Sequence, residues 1–207
     1  ILRGTKILVT DGLKNFPEIF KFSQEKNLTG LSLVPSGLSL IKILLKNKVN
    51  LFSKKLKYFE IGSSFINHDK RAWLKKNFLY TKILHHYGMT EASRSFLVER
   101  GIGDNLNNTN NKIGKIISGC KFKILRKNTT NGELLLKGKN LFEGYLAKEQ
   151  NNAKFINGWF RTGDIVKKKG QDLYLMGRVD NQFNIGGNKV QAEMIEDMIE
   201  SISYVNK

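Results

Sequence analysis

The chain has 207 residues, of which 40% are hydrophobic, 26% charged and 10% aromatic, proportions that suit one large or two small globular domains and exclude a disordered, collagenous or coiled-coil chain. The 35 lysines and arginines against 18 acidic residues leave a net charge of +17, an excess that suggests nucleic acid or an anionic membrane. Lysine supplies most of it and, like asparagine, is spread over nearly every segment, so a compositional bias explains the charge and no nucleic-acid partner is expected.

In chain order, short apolar runs at 7–9, 31–34, 58–61 and 83–84 alternate with helical periodicity over 16–25, 36–46 and 68–76. Such alternation predicts an α/β region with parallel strands joined by crossover helices. In the second helix Leu40, Ile41, Leu44 and Leu45 share a face, and Ser36 stands where an N-cap would. After Ser93 the texture changes. Strands at 122–125 and 133–137 are separated by turn-rich stretches at 101–104, 128–132 and 139–140, and the asparagine-rich run 105–111 reads as a surface loop. Residues 164–169 and 172–176 flank Gly170 and Gln171 as a hairpin. Beyond it come a short strand at 183–185 and an amphipathic helix at 192–202 with Met194, Ile195, Met198, Ile199 and Ile202 inward. No internal repeat occurs. The expected fold class is therefore α/β: part of a parallel-sheet subdomain (1–93), then a mostly β subdomain (94–178), then a short terminal segment (179–207).

Cys120, the one cysteine, has no internal disulfide partner, which fits a reducing compartment. The most apolar stretch, 31–45, is interrupted by Pro35, Ser36, Gly37 and Lys42, short of the roughly 18 apolar residues a membrane span requires. The expectation is a cytoplasmic chain without a transmembrane helix. Its opening, Ile1, Leu2, Arg3, Gly4, Thr5, looks like neither a signal peptide nor a capped beginning, so a piece of something longer is expected.

Four glycine-punctuated clusters carry chemistry by their residue types. In the first, Tyr87, Gly88, Met89, Thr90 and Glu91, an aromatic ring can stack on a base, glycine permits close backbone approach, a hydroxyl can bind phosphate and a carboxylate can hold Mg²⁺. Its bland counterpart is a turn before a capped helix. The second, Gly158 through Asp164, ends in a carboxylate able to accept both hydroxyls of a ribose, or equally in a solvated turn aspartate. The third, Gly177, Arg178, Val179 and Asp180, is a linker whose arginine could meet an anion. The fourth, Gly186, Gly187, Asn188, Lys189 and Val190, reads most simply as a turn leading into a helix.

The order Y-G-M-T-E, G-E-L-L-L-K-G (Gly132 to Gly138), G-Y (Gly144, Tyr145), G-W-F-R-T-G-D, G-R-V-D and G-G-N-K-V resembles the adenylate-forming superfamily of acyl- and aryl-CoA synthetases, luciferases and peptide-synthetase adenylation domains. Met89 in the first motif looks more like the acid:CoA ligases. The resemblance implies a β subdomain shaped as a distorted barrel and, from 179, the start of a small α+β C-terminal domain. It also implies a two-step ligase: a carboxylic acid attacks the α-phosphate of ATP to give an acyl-adenylate, and a thiol of coenzyme A or of carrier-protein pantetheine then takes the acyl group. Carried over, Tyr87 would stack on or flank adenine with Gly88 and Met89 beside it, Thr90 would hold the α-phosphate and Glu91 would bind Mg²⁺. Asp164 would accept the ribose hydroxyls beside Arg178, Asp180 would be the hinge, and Gly186 and Gly187 would line the pantetheine channel. Gly62, Ser63 and Ser64 occupy the place of an element near adenine, though its usual proline is missing. The family's phosphate loop and C-terminal lysine have no counterpart here, so the chain is expected to be inactive by itself; a carrier-loading adenylation enzyme or a catalytically dead binding subunit are the competing readings.

Overall fold

The computed structural model describes residues 6–9, 12–25, 28–54, 56–62, 66, 68–100, 111–126, 131–185, 188–192, 195, 198–199 and 202. They divide into two units, one with the residues up to His86 plus Glu99 and Arg100, the other with Tyr87–Val98 and the residues from Asn111 onward.

The first unit is a βα succession. Helix α1 (Phe16–Glu25) precedes strand β1 (Gly30–Leu33); α2 (Pro35–Leu45) and the short α3 (Val49–Ser53) lead to β2 (Tyr58–Ile61); α4 (His68–Asn77) leads to β3 (Lys82–Met89). β1 pairs with β2 and β2 with β3, both in parallel, as the alternation predicts. Parallel neighbours need a crossover, which the intervening helices supply. Asp69 in the first turn of α4 and Lys75 and Lys76 in its last complement the helix dipole. The core gathers Phe52, Phe59, Leu74 and Phe78 around the inward face of α2.

That face differs from the expected one. Leu38, Ile41 and Leu45 are buried, whereas Leu40 and Leu44 are exposed. Three residues spaced by three and four align on a 3.6-residue helix, and a segment this apolar has too little polar edge to fix the phase of its stripe from sequence. Ser36 does not cap α2: extended Val34 is the N-cap with no side-chain bond, and Pro35 opens the first turn, where its missing N–H does no harm. Residues 6–9 form no strand, since an apolar run becomes one only where a neighbour completes its ladder. The short α3 was not foreseen.

Strand β3 reaches past His86, the end the sequence suggested, to Met89, and turns at Thr90 and Glu91 into β4 (Ala92–Arg100), so the first cluster opens a hairpin and not a helix. β4 pairs antiparallel with β5 (Lys115–Ile116). Then follow β6 (Cys120–Arg126), β7 (Asn131–Gly138), α5 (Lys148–Lys154), β8 (Phe155–Ile156), β9 (Trp159–Lys169) and β10 (Asp172–Arg178). They form a curled antiparallel half-barrel in the order β10-β9-β7-β6, with β8 on β9. The expected hairpin at Gly170 and Gln171 is present, as is a strand at β11 (Gln182–Ile185), which pairs with β12 (Asn188–Gln191). Gly132 belongs to β7 and not to a turn.

Over 192–202, Ala192, Ile195, Met198 and Ile199 are helical, but Ile195, Met198, Ile199 and Ile202 are exposed where the periodicity placed them inward. A periodic stripe names the face that would be covered and says nothing of what covers it. Ser63, Ser64, Gly186, Gly187, Met194, the stretch 101–104 and residues 105–110 of the asparagine run lie outside the described residues. No helix among the described residues is long and apolar enough to cross a membrane.

Candidate active site

The site in the second unit is built where β9 loses its regular pairing. Glu133 pairs with Ile165 and Leu135 with Arg161, which leaves Thr162, Gly163 and Asp164 opposite Leu134 alone. On the other flank Met176 drops out of the β10 ladder between Leu175 and Gly177. Bulges of this kind bend a strand and re-aim its side chains. Gly163 adopts φ +77°, a left-handed conformation that L side chains rarely take, and a Cβ there would stand 3.1 Å from Arg178 Nη2.

Asp164, 5% exposed, is the centre. The Tyr87 hydroxyl donates to its Oδ2, and Arg178 Nη1 donates to its Oδ1 at 3.2 Å. Its backbone N–H donates to Thr162 Oγ1 (3.0 Å), and the Thr162 hydroxyl in turn donates to the Leu134 carbonyl (2.8 Å). Burial raises the Asp164 carboxyl above its ordinary range, opposed by Tyr87 and Arg178. Burial and the adjacent carboxylate push Tyr87 well above the usual tyrosine range, so its hydroxyl stays a donor. The Tyr87 ring meets Phe96 edge-on at 5.8 Å. Gly88 lets β3 close on β4, because a Cβ would lie 2.4 Å from the Arg94 nitrogen, and Met89 packs against the second unit's core.

Arg178 also grips Asp180, Nε to Oδ1 at 2.9 Å and Nη2 to Oδ2 at 3.1 Å. The pairing holds Asp180 below the usual carboxylate range. The Val179 N–H still donates to the Gly163 carbonyl at 2.7 Å, so Asp180 is the first residue past the β9–β10 pairing.

Thr90 is exposed at the turn. Glu91 is held twice from one segment: its carbonyl accepts from the Phe142 N–H (3.0 Å), and its Oε1 accepts from the Tyr145 hydroxyl (2.7 Å). Among the described residues no group of three or more His, Cys, Asp or Glu gathers as a metal site, so a cation on Glu91 would draw its other ligands from phosphate and water, as Mg²⁺ commonly does.

The structure therefore brings Tyr87, Asp164, Arg178 and Asp180 into one network and places Gly88, Met89, Thr90 and Glu91 on the hairpin that Tyr87 enters. Gly62 belongs to the first unit, where a Cβ would lie 2.1 Å from His86 Nε2; His85 is buried, and His86 Nδ1 lies 3.3 Å from Glu60 Oε1. Two participants went unassigned from sequence. Tyr145 belongs to the G-Y motif, whose residue types assign it no role. Glu133, 8% exposed, accepts from Arg161 Nε and Nη2 (2.6–3.2 Å) and from the Gly163 N–H (3.2 Å). A carboxylate inside the apolar G-E-L-L-L run needs a partner, and that requirement was the signal available.

The family model for AMP-binding enzymes matches residues 1–146. The chain belongs to this family of AMP-binding enzymes. It is 28% identical over 183 residues to long-chain-fatty-acid–CoA ligase ACSBG2 of Rattus norvegicus, covering 84% of this chain and 26% of the relative. It is likewise 28% identical over 198 residues to 2-succinylbenzoate–CoA ligase of Haemophilus influenzae, covering 93% of this chain and 40% of that protein. The chain thus spans well under half the length of these curated relatives. O-succinylbenzoate coenzyme A synthetase (MenE) from Bacillus subtilis, in complex with ATP and magnesium ion, superposes with a TM-score of 0.78 at 22% identity over 92% of this chain and 40% of its own, a likeness that establishes the adenylate-forming fold.

Proposed function

We propose that this chain supplies the nucleoside half of the site of an ATP-dependent acid:thiol ligase, which joins a carboxylic acid to AMP and passes the acyl group to coenzyme A. The observation that carries the reading is the occupancy of Asp164. A carboxylate offers about four acceptor positions; Tyr87 and Arg178 take one on each oxygen, leaving one on each for a pair of vicinal ribose hydroxyls. Tyr87 fixes the carboxylate through its hydroxyl, and its ring edge borders the adenine position. Arg178 uses three of its five N–H donors on Asp164 and Asp180, keeping two for the ribose or phosphate of the adenylate.

Thr90, exposed at the hairpin turn, donates to the α-phosphate. Glu91 holds Mg²⁺, which when bound offsets phosphate charge as the pyrophosphate departs. Asp180, at the end of strand pairing, serves as the hinge for residues 179–207 as they turn toward the thioester step. The resemblance would assign Gly186 and Gly187 to the channel for a thiol arm. The resemblance would assign Gly62, Ser63 and Ser64 to the adenine and acyl group. Coenzyme A is favoured over a carrier protein by Met89 in the first motif and by the relatives, named as CoA ligases.

The test is acid-dependent pyrophosphate release by the full-length protein, screened with ATP and Mg²⁺ against fatty, aryl and amino acids, followed by thioester formation on adding coenzyme A. Release with at least one acid and a coenzyme A thioester are expected. Nucleotide binding without release for any acid would favour a binding subunit. The 207-residue chain assayed alone is expected to give no turnover, because losing even one preorganised donor to the phosphates costs about 10²–10³ in rate.

A further inference from the structure

The segment after β7 holds the Glu91 turn from both its backbone and its side chain. Leu141 bridges Ala92 in an antiparallel pair, the Phe142 N–H donates to the Glu91 carbonyl at 3.0 Å, and the Tyr145 hydroxyl donates to Glu91 Oε1 at 2.7 Å. Tyr145 is itself fixed. Asn151 in α5 accepts from the Tyr145 N–H through Oδ1 (2.7 Å) and donates to the Tyr145 carbonyl through Nδ2 (3.0 Å). Gly144, at φ +147°, makes room for that amide, since a Cβ there would lie 2.9 Å from Asn151 Oδ1. The Tyr145 ring stands edge-on against Phe142 at 4.8 Å. A helix side chain thus clamps a loop backbone, and the loop's phenol aims one oxygen of a turn carboxylate.

We infer that Tyr145, clamped by Asn151, is a positioning residue that orients Glu91 for a magnesium ion carried by the nucleotide. The inference rests on the reading of Glu91 as the Mg²⁺ ligand. A carboxylate at a two-residue turn is free to rotate about its side-chain torsions, and a cation that takes most of its ligands from phosphate and water depends on its one protein oxygen being in place beforehand. With Oε1 bonded to Tyr145, Oε2 is the oxygen offered to the metal. Partners of this sort orient a ligand without touching the metal.

The test measures the ratio of ATP affinities of the full-length protein by calorimetry, in excess Mg²⁺ against EDTA, together with AMP affinity and melting temperature. Tyr145→Phe keeps the ring on Phe142 and removes only the hydroxyl. It is expected to cut the Mg²⁺-dependent gain in ATP affinity by about tenfold while leaving AMP affinity and melting temperature unchanged. Asn151→Ala, which frees the Tyr145 backbone, should act in the same direction and less strongly. Glu91→Gln serves as the reference. If Glu91→Gln lowers the gain and Tyr145→Phe does not, the positioning role is overturned. Should Glu91→Gln leave the gain intact, the metal-ligand reading of Glu91 falls, and this inference with it.

Discussion

The two units bury different chemistry. In the first, Phe52, Phe59 and Phe78 are each 1% exposed or less, and Phe59 meets Phe78 edge-on at 4.8 Å within an aliphatic shell. The second buries Glu133, Thr162 and Asp164 on two neighbouring strands, each below 9% exposure. Burial of the aromatic cluster follows from apolar area, at about 25 cal/mol per Å², although the first unit also buries Arg71 and His85. Buried carboxylates oppose that gain unless partners are supplied, and the second unit supplies them: Arg161 and the Gly163 N–H for Glu133, Tyr87 and Arg178 for Asp164. The first unit buries a guanidinium and an imidazole, Arg71 and His85, whereas the second buries two carboxylates, each beside an arginine.

The sharpest way to break this contrast is a cavity in the first unit. Phe59→Ala should destabilise by about 3–5 kcal/mol, measured by urea unfolding. A loss under 1 kcal/mol would show that the aromatic cluster does not carry the unit. Glu133→Ala comes next: it strands the partly exposed Arg161 and leaves the Gly163 N–H without its acceptor, for an expected loss of about 2 kcal/mol. If that variant is as stable as the parent, the Glu133 pair does not hold the bulged strand.

The smallest stability effect belongs to Asp164→Asn. Because the folded carboxyl titrates above its unfolded value, the ionised form detracts from stability at neutral pH, and that deficit disappears as pH falls through the folded pKa. The neutral amide should therefore change stability by no more than about 1 kcal/mol. By the same shift, AMP affinity of the unmodified protein should weaken on acidification at a pH above the ordinary aspartate range. A drop in stability as large as that of Phe59→Ala would place Asp164 among the structural residues.

The first unit was legible because its signals are local: α1 and β2 fall at the residues that periodicity and apolar runs marked. Strand β4 escaped, since Ser93, Arg94 and Ser95 interrupt any alternation, and its inward Phe96 is recognisable only once β5 lies beside it. At the site, Asp164 and Arg178 were named by motif, but their meeting depends on two bulges and a left-handed Gly163, properties of strand pairing that no residue spacing reports. The Tyr145 contact to Glu91 spans 54 positions, and nothing local to either residue announces it.

In the proposed function the buried Asp164 carboxylate, held by Tyr87 and Arg178, reads the ribose of an adenylate. AMP affinity measured calorimetrically for the full-length protein and its Asp164→Ala variant, with folding checked by circular dichroism, tests it most directly. Charge-assisted bonds of about 1.5–3 kcal/mol each predict a loss of tenfold to several hundredfold; equal affinity in a folded variant would contradict the account.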